Sequence, residues 1–114
     1  MVPTATDREL KKGAADLLVL SLLAERARHG YELSRLIEQR SGGALTLHLA
    51  SLYTLLYRLE RKGLIAGRWV EKPGERRRRF YRLTAEGRRL LGEEKERWLE
   101  FVEAVTAITG LRHA

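Results

Sequence analysis

The chain has 114 residues, a formal net charge of +7 and a sequence pI of about 10.2. That length allows one domain with a modest core, and the absence of cysteine excludes a disulfide framework and a thiolate metal site. The excess charge is mostly arginine, whose planar fork suits phosphate and guanine, so nucleic acid is the leading partner class. A membrane surface would instead favour a basic amphipathic helix, whereas the densest charge here falls in a turn. The longest apolar run, Leu17 to Ala24, is broken by Ser21 and is far too short to span a bilayer. The start, Met1-Val2-Pro3-Thr4-Ala5-Thr6-Asp7, is short and polar and carries no leader pattern, so a soluble cytoplasmic protein with no membrane partner is expected.

Residues 1–9 read as a flexible arm. Thr6-Asp7-Arg8-Glu9 has the capping-box pattern, although Gly13 weakens a helix starting there and offers an alternative start. Ala14 to Ala24 is apolar nearly all round, which predicts a helix buried on more than one side and, in so small a protein, partly covered by another chain. Arg28-His29-Gly30 breaks the pattern. A second helix is expected from Tyr31 to about Arg40 with Leu33, Leu36 and Ile37 inward, ended by Ser41-Gly42-Gly43. Leu45-Thr46-Leu47 alternates as a short strand would.

A third helix is expected over roughly Ala50 to Lys62. Leu52, Leu55, Leu56 and Leu59 recur at i, i+3, i+4, i+7 as one apolar stripe, with Ser51, Thr54, Arg58 and Arg61 opposite and Tyr53 and Tyr57 at the flanks. Gly63 stops it, and a hairpin follows: Leu64 to Val70, a Lys72-Pro73-Gly74-Glu75 turn of type II, and a return strand Arg78 to Leu83. The four consecutive arginines Arg76 to Arg79 fall at its tip, a mobile positive finger suited to a phosphate backbone. Thr84 is a good N-cap for a final helix running to about Thr109, with Glu86 in its first turn. Leu91, Trp98, Phe101, Val105 and Ile108 take a and d positions of a heptad, Glu94 being the polar exception, and Leu90, Leu99 and Val102 widen the stripe. Such a helix needs a cover, and a second copy of the chain is the simplest.

Three helices and a hairpin make the winged helix-turn-helix plan, so the fold expected is mainly α with a small β-hairpin wing and a C-terminal dimerisation helix: 10–84 the DNA-binding domain, 85–110 the dimerisation helix, 111–114 a tail. The outer face of the third helix can enter a major groove. The candidate DNA contacts are Ala50, Ser51, Thr54, Tyr57, Arg58 and Arg61 on that helix, His29 and Tyr31 at the start of the second, and Lys72, Arg76, Arg77, Arg78 and Arg79 on the wing.

In this order and spacing the chain resembles the PadR-like transcriptional regulators. The matching residues are Leu17 to Leu23, His29-Gly30-Tyr31-Glu32-Leu33, Ser51-Leu52-Tyr53, Leu56 to Glu60, Gly63-Leu64-Ile65, Arg77 to Thr84 and Gly87, over about Leu10 to Trp98. Two positions depart from the family pattern: Ala50 stands where a glycine is usual and Thr54 where a proline is usual, which bears on the helix start and on DNA sequence preference. The resemblance implies a homodimeric repressor on double-stranded DNA. Its final helix would form the interface with the first, here Leu17, Leu20, Leu91, Trp98, Phe101, Val102, Val105 and Ile108. It also implies a small aromatic effector, for which Trp98 is the candidate contact beside its reading as a plain packing residue.

Tyr53 and Tyr57 can donate hydroxyls to phosphates or pack under the wing, with core the reading preferred for Tyr53, and Trp69 on the first wing strand is expected in the hydrophobic core rather than in a ligand box. His29, His48 and His113 do not form a metal-spaced set, and no cofactor is expected. The aspartates are Asp7 and Asp16 alone, and no nucleophile-base pair or glycine-rich phosphate loop is visible, which argues against an enzyme. A winged module binding RNA or a protein partner shares fold and charge, and preference for RNA over duplex DNA would single it out.

Overall fold

The computed structural model describes residues 13–111. In chain order it contains α1 (Ala14–Glu25), β1 (Arg28–His29), α2 (Gly30–Arg40), α3 (Leu49–Arg61), β2 (Ile65–Val70), β3 (Arg78–Leu83) and α4 (Ala85–Thr109). The expected mainly helical winged fold is present, but the sheet has three antiparallel strands in the order β1-β3-β2, not two. The added strand is Arg28-His29, paired with Tyr81 and Phe80. Leu45-Thr46-Leu47 belongs to the connection between α2 and α3, where Leu47 is buried and its carbonyl accepts the Ser34 hydroxyl at 3.0 Å. The Thr6–Glu9 capping box lies outside the described residues. The described helix α1 begins after Gly13, whose φ of 92° is a left-handed conformation that glycine adopts at little cost.

The core forms where the apolar faces meet. Leu52, Leu55, Leu56 and Leu59 of α3 are all buried, as their spacing predicts, against Leu33 and Ile37 of α2 and Ile65, Tyr81 and Leu83 of the sheet. Each buried leucine contributes about 2 kcal/mol of transfer free energy. Helix α1 packs against α2, β3 and α4, so its all-round apolar character is satisfied largely within its own chain. This corrects two interface expectations: Leu20 is 0% and Leu91 4% exposed, and neither side chain has surface left for a second copy. Leu17 is half-buried and keeps some.

The first turn of α4 is fixed by Thr84, whose hydroxyl accepts the Gly87 amide at 3.0 Å and donates to the Gly63 or Leu64 carbonyl. A Cβ on Gly87 would meet the Leu64 carbonyl oxygen at 2.0 Å, so only glycine allows the helix this close to the α3–β2 turn. Beyond Leu91 no α4 residue is buried. Glu94, the polar exception in the heptad, lies 4.0 Å from where a Cβ on Gly13 would stand, beside the positive end of the α1 dipole. No helix among the described residues is long and apolar enough to cross a membrane.

Candidate nucleic-acid interface

Three elements converge on one side of the molecule: the start of α2, the outer face of α3 and the wing. The α2 start is held by Arg28, a side chain only 5% exposed. Its Nε donates to the Leu22 carbonyl at 3.0 Å, and its other nitrogens pair with Glu32 at 2.8 Å and Glu25 at 2.5 Å. Arg40 completes the cluster through Glu25, at 2.7 and 2.9 Å, and Arg26 pairs with Glu32. Arg40 and Arg28 hold the Glu25 carboxyl down to about 2. Among the expected contacts, His29 uses its Nδ1 to accept the Glu32 amide at 3.2 Å, so it caps α2 and that amide is not left for a phosphate. Its ring meets Phe80 edge-on, and burial, then the nearby Arg78 charge, lowers its pKa. Tyr31 is exposed, with the Arg35 guanidinium over its ring at 5.9 Å.

On α3, which starts at Leu49, Ala50, Thr54, Tyr57, Arg58 and Arg61 are exposed and Ser51 is half-buried. Two of these are already engaged. The Thr54 hydroxyl donates to the Ala50 carbonyl at 3.1 Å, so both departures from the family pattern sit in one local bond. Arg58 makes two bonds to Asp16 of α1, at 2.7 and 3.1 Å. Arg61 lies over the exposed Tyr57 ring at 5.8 Å. Tyr53 is not core: it is 49% exposed, and the hydroxyl end of its ring lies against Gly30, where a Cβ would meet it at 2.8 Å.

The wing turn closes with the Glu75 amide on the Lys72 carbonyl at 3.0 Å and Gly74 at φ 76°, as a type II turn requires. Trp69, expected in the core, is 53% exposed instead. It shares a face with Ile65 and Gly67, but the strand runs past the end of the core, and the indole carries Arg77 at 4.3 Å and Arg79 at 5.7 Å. Arg79 also pairs with Glu60 at the end of α3 at 2.7 Å, and Glu60 accepts the Gly67 amide at 3.2 Å. Arg77 has a long contact to Glu71 at 3.8 Å. Lys72, Arg76 and Arg78 are exposed, and their side chains make no hydrogen bond or ion pair with a described residue. The thirteen candidates thus lie on three adjoining elements, but Arg58, Arg79 and His29 are committed to the protein itself.

Several residues escaped the sequence reading. The Arg28 cluster was partly legible as a glutamate four residues on; Asp16 and Glu60 left no local signal. Among the described residues no group of histidine, aspartate and glutamate is arranged to hold a metal.

The projecting half of α4 exposes Phe101, Val102 and Ile108, with Trp98 and Val105 half-buried. Trp98 meets Phe101 edge-to-face at 5.9 Å. Glu94, Arg97, Trp98 and Phe101 line an open hollow of about 340 Å³.

The geometry has known counterparts. A transcriptional regulator from Clostridium thermocellum superposes with a TM-score of 0.77 at 30% identity, over 85% of this chain and 94% of that one. A PadR family transcriptional regulator from Eggerthella lenta gives 0.75 at 32%, over 92% and 89%. An uncharacterized protein of Lysinibacillus sphaericus is 31% identical over 97 residues, 85% of this chain and 89% of its own length. The family model described as the transcriptional regulator PadR-like family matches residues 19–93. The chain therefore belongs to the PadR-like family of transcriptional regulators, a winged-helix family of regulators and not of enzymes.

Proposed function

We propose that the protein is a homodimeric, sequence-specific repressor that reads double-stranded DNA with α3 and grips the flanking backbone with the wing. The observations that carry this reading are the polar outer face of α3 and the wing tip, where Lys72, Arg76 and Arg78 are exposed cations without a carboxylate partner among the described residues. Ala50, Ser51 and Thr54 are short enough for close approach to base edges, and Tyr57 and Arg61 flank them. Tyr31, at the start of α2, and Arg77, stacked on Trp69, meet the backbone. Arg79 serves to position the wing against α3, and Arg58 is held by Asp16 of α1.

The exposed stripe of Trp98, Phe101, Val102, Val105 and Ile108, with Leu17, supports a dimer interface that presents two α3 helices to successive major grooves about 34 Å apart. The hollow beside Trp98 supports a flat aromatic effector that alters the spacing of the two reading heads. Fluorescence anisotropy over a salt series tests the reading, using a duplex from the gene's own upstream region, a scrambled duplex and an RNA duplex. Tight, salt-sensitive binding to the native duplex is the expected outcome. Equal weak binding to all three would leave only the electrostatic term, and preference for RNA would overturn the reading.

A further inference from the structure

The two faces of the wing treat their arginines differently. On the inner face, Arg79 is paired with Glu60 and Arg77 lies on Trp69. The outer face is set by the strand register, which places Ala66 opposite Arg82, Arg68 opposite Phe80, and Val70 opposite Arg78, with His29 on the far side of Phe80. Phe80 therefore sits at the centre of a grid with arginines on the neighbouring positions, about 7 Å apart along each strand. Between Arg68 and Arg82 the surface is a trough of about 480 Å³ floored by Ala66, Val70 and Phe80. Arg68, Arg78 and Arg82 are exposed, and their side chains make no hydrogen bond or ion pair with a described residue. Arg82 lies toward the base of the sheet and Arg68 at its middle, both on the face opposite α3, so reading DNA with α3 does not account for them.

One element of the same chain has the complementary chemistry. On the projecting half of α4, Glu93, Glu96, Glu100 and Glu103 recur at i, i+3, i+7, i+10 within an arc of about 80°, with no lysine or arginine between residues 93 and 103 in that arc. At 100° per residue this face is the reverse of the Trp98 to Ile108 stripe. Glu96, Glu100 and Glu103 also make no ion pair with a described residue. Glu96 to Glu103 spans about 10 Å of helix, and Arg82 to Arg78 about 13 Å of strand. A row of carboxylates fits a trough flanked by guanidinium groups.

We propose that the outer face of the wing sheet is a docking surface for the glutamate face of α4 from a second copy of the chain, supplied by a neighbouring dimer. The inference rests on the proposed dimer in one respect: the apolar stripe of α4 is taken by the dimer partner, leaving the glutamate face outward. The contact is heterologous, because the two surfaces differ, and so it joins one dimer to the next. Its consequence is cooperative filling of adjacent operators by a weak, salt-sensitive contact.

Sedimentation velocity of the DNA-free protein over a concentration series, at low and high salt, tests this. Wild type should rise in weight-average mass beyond two chains at low salt and return to two chains at high salt. Arg68→Glu with Arg82→Glu, and Glu96→Arg with Glu100→Arg, each place like charges on both surfaces and should remain at two chains. Mixed in equal amounts, the two variants should associate again, since each then meets a complementary face. All four positions are exposed, and circular dichroism checks that the variants fold. Association of either variant alone as strong as wild type, or no recovery in the mixture, overturns the proposal. So does a sheet variant whose only defect is affinity for a single operator, which would assign the face to the DNA backbone. Because the primary readout needs no DNA, a protein that shows charge-swap recovery but no operator preference would overturn the proposed function and leave this inference standing.

Discussion

Arg28 and Arg78 both neighbour His29, one along β1 and one from β3, and do opposite things. Arg28 is buried and bonded to a carbonyl and two carboxylates. Arg78 is exposed and has no carboxylate partner among the described residues. The same division runs through the site: Arg40, Arg58 and Arg79 are tied to Glu25, Asp16 and Glu60, while Lys72 and Arg76 have no carboxylate partner among the described residues. Net charge alone therefore overstates the surface available to a polyanion. Part of the positive charge holds the reading elements in register, and a smaller part is left to meet phosphate.

The largest effect should come from breaking the buried member. Arg28→Ala leaves the Leu22 carbonyl without this donor and Glu32 with Arg26 as its remaining guanidinium partner, so a loss of about 2 kcal/mol in urea unfolding is expected. A loss under about 1 kcal/mol would mean that water replaces the guanidinium. The exposed members should behave in reverse. Arg76→Ala with Arg78→Ala should leave stability within about 0.5 kcal/mol. It should weaken duplex binding on the order of tenfold per residue and lower the salt slope by about 2. An unchanged slope would remove the wing tip from the interface.

A smaller effect sharpens the comparison, because it converts one class into the other. Asp16→Asn breaks the tie that occupies Arg58. If Arg58 is free to reach phosphate once released, duplex affinity should rise a few-fold and the salt slope steepen by about 1. Affinity that falls instead would show that the tie holds α3 in its reading position, so the sign decides which role the pair plays.

How much of this was legible follows from range. The α3 stripe, the type II turn and the Thr84 cap are local patterns, and the structure repeats them. Strand β1 is two residues long, too short for any period to show. Arg58 and Asp16 are 42 residues apart, and no local pattern pairs them. Trp69 was misread because alternation encodes burial only where a strand lies over the core, and β2 extends past it. Leu20 was assigned to a partner because a helix apolar all round needs several neighbours; those neighbours are the chain's own α2, β3 and α4. The candidate contacts were found as residue types in an expected fold, but which cations are engaged internally depends on tertiary geometry.

The smallest effect expected concerns pH, and it acts through the histidine between the two arginines. Burial first, then the Arg78 charge, lowers the His29 pKa below its ordinary 6.5, against the opposing pull of Glu32. The unfolded chain therefore takes up this proton more readily than the folded one. The stabilising contribution is complete above the ordinary histidine value and declines as pH falls below it, because protonated Nδ1 can no longer accept the Glu32 amide. Unfolding free energy should fall modestly between about pH 7 and pH 5. His29→Asn retains an N-cap acceptor without a titrating ring, so it should flatten that limb. The Glu25 carboxyl, lowered from 4.5 to about 2, should produce a second decline below pH 4.5 that the same variant keeps. A His29→Asn protein with the full wild-type slope between pH 7 and 5 would place the titrating group elsewhere and leave the cap a packing contact.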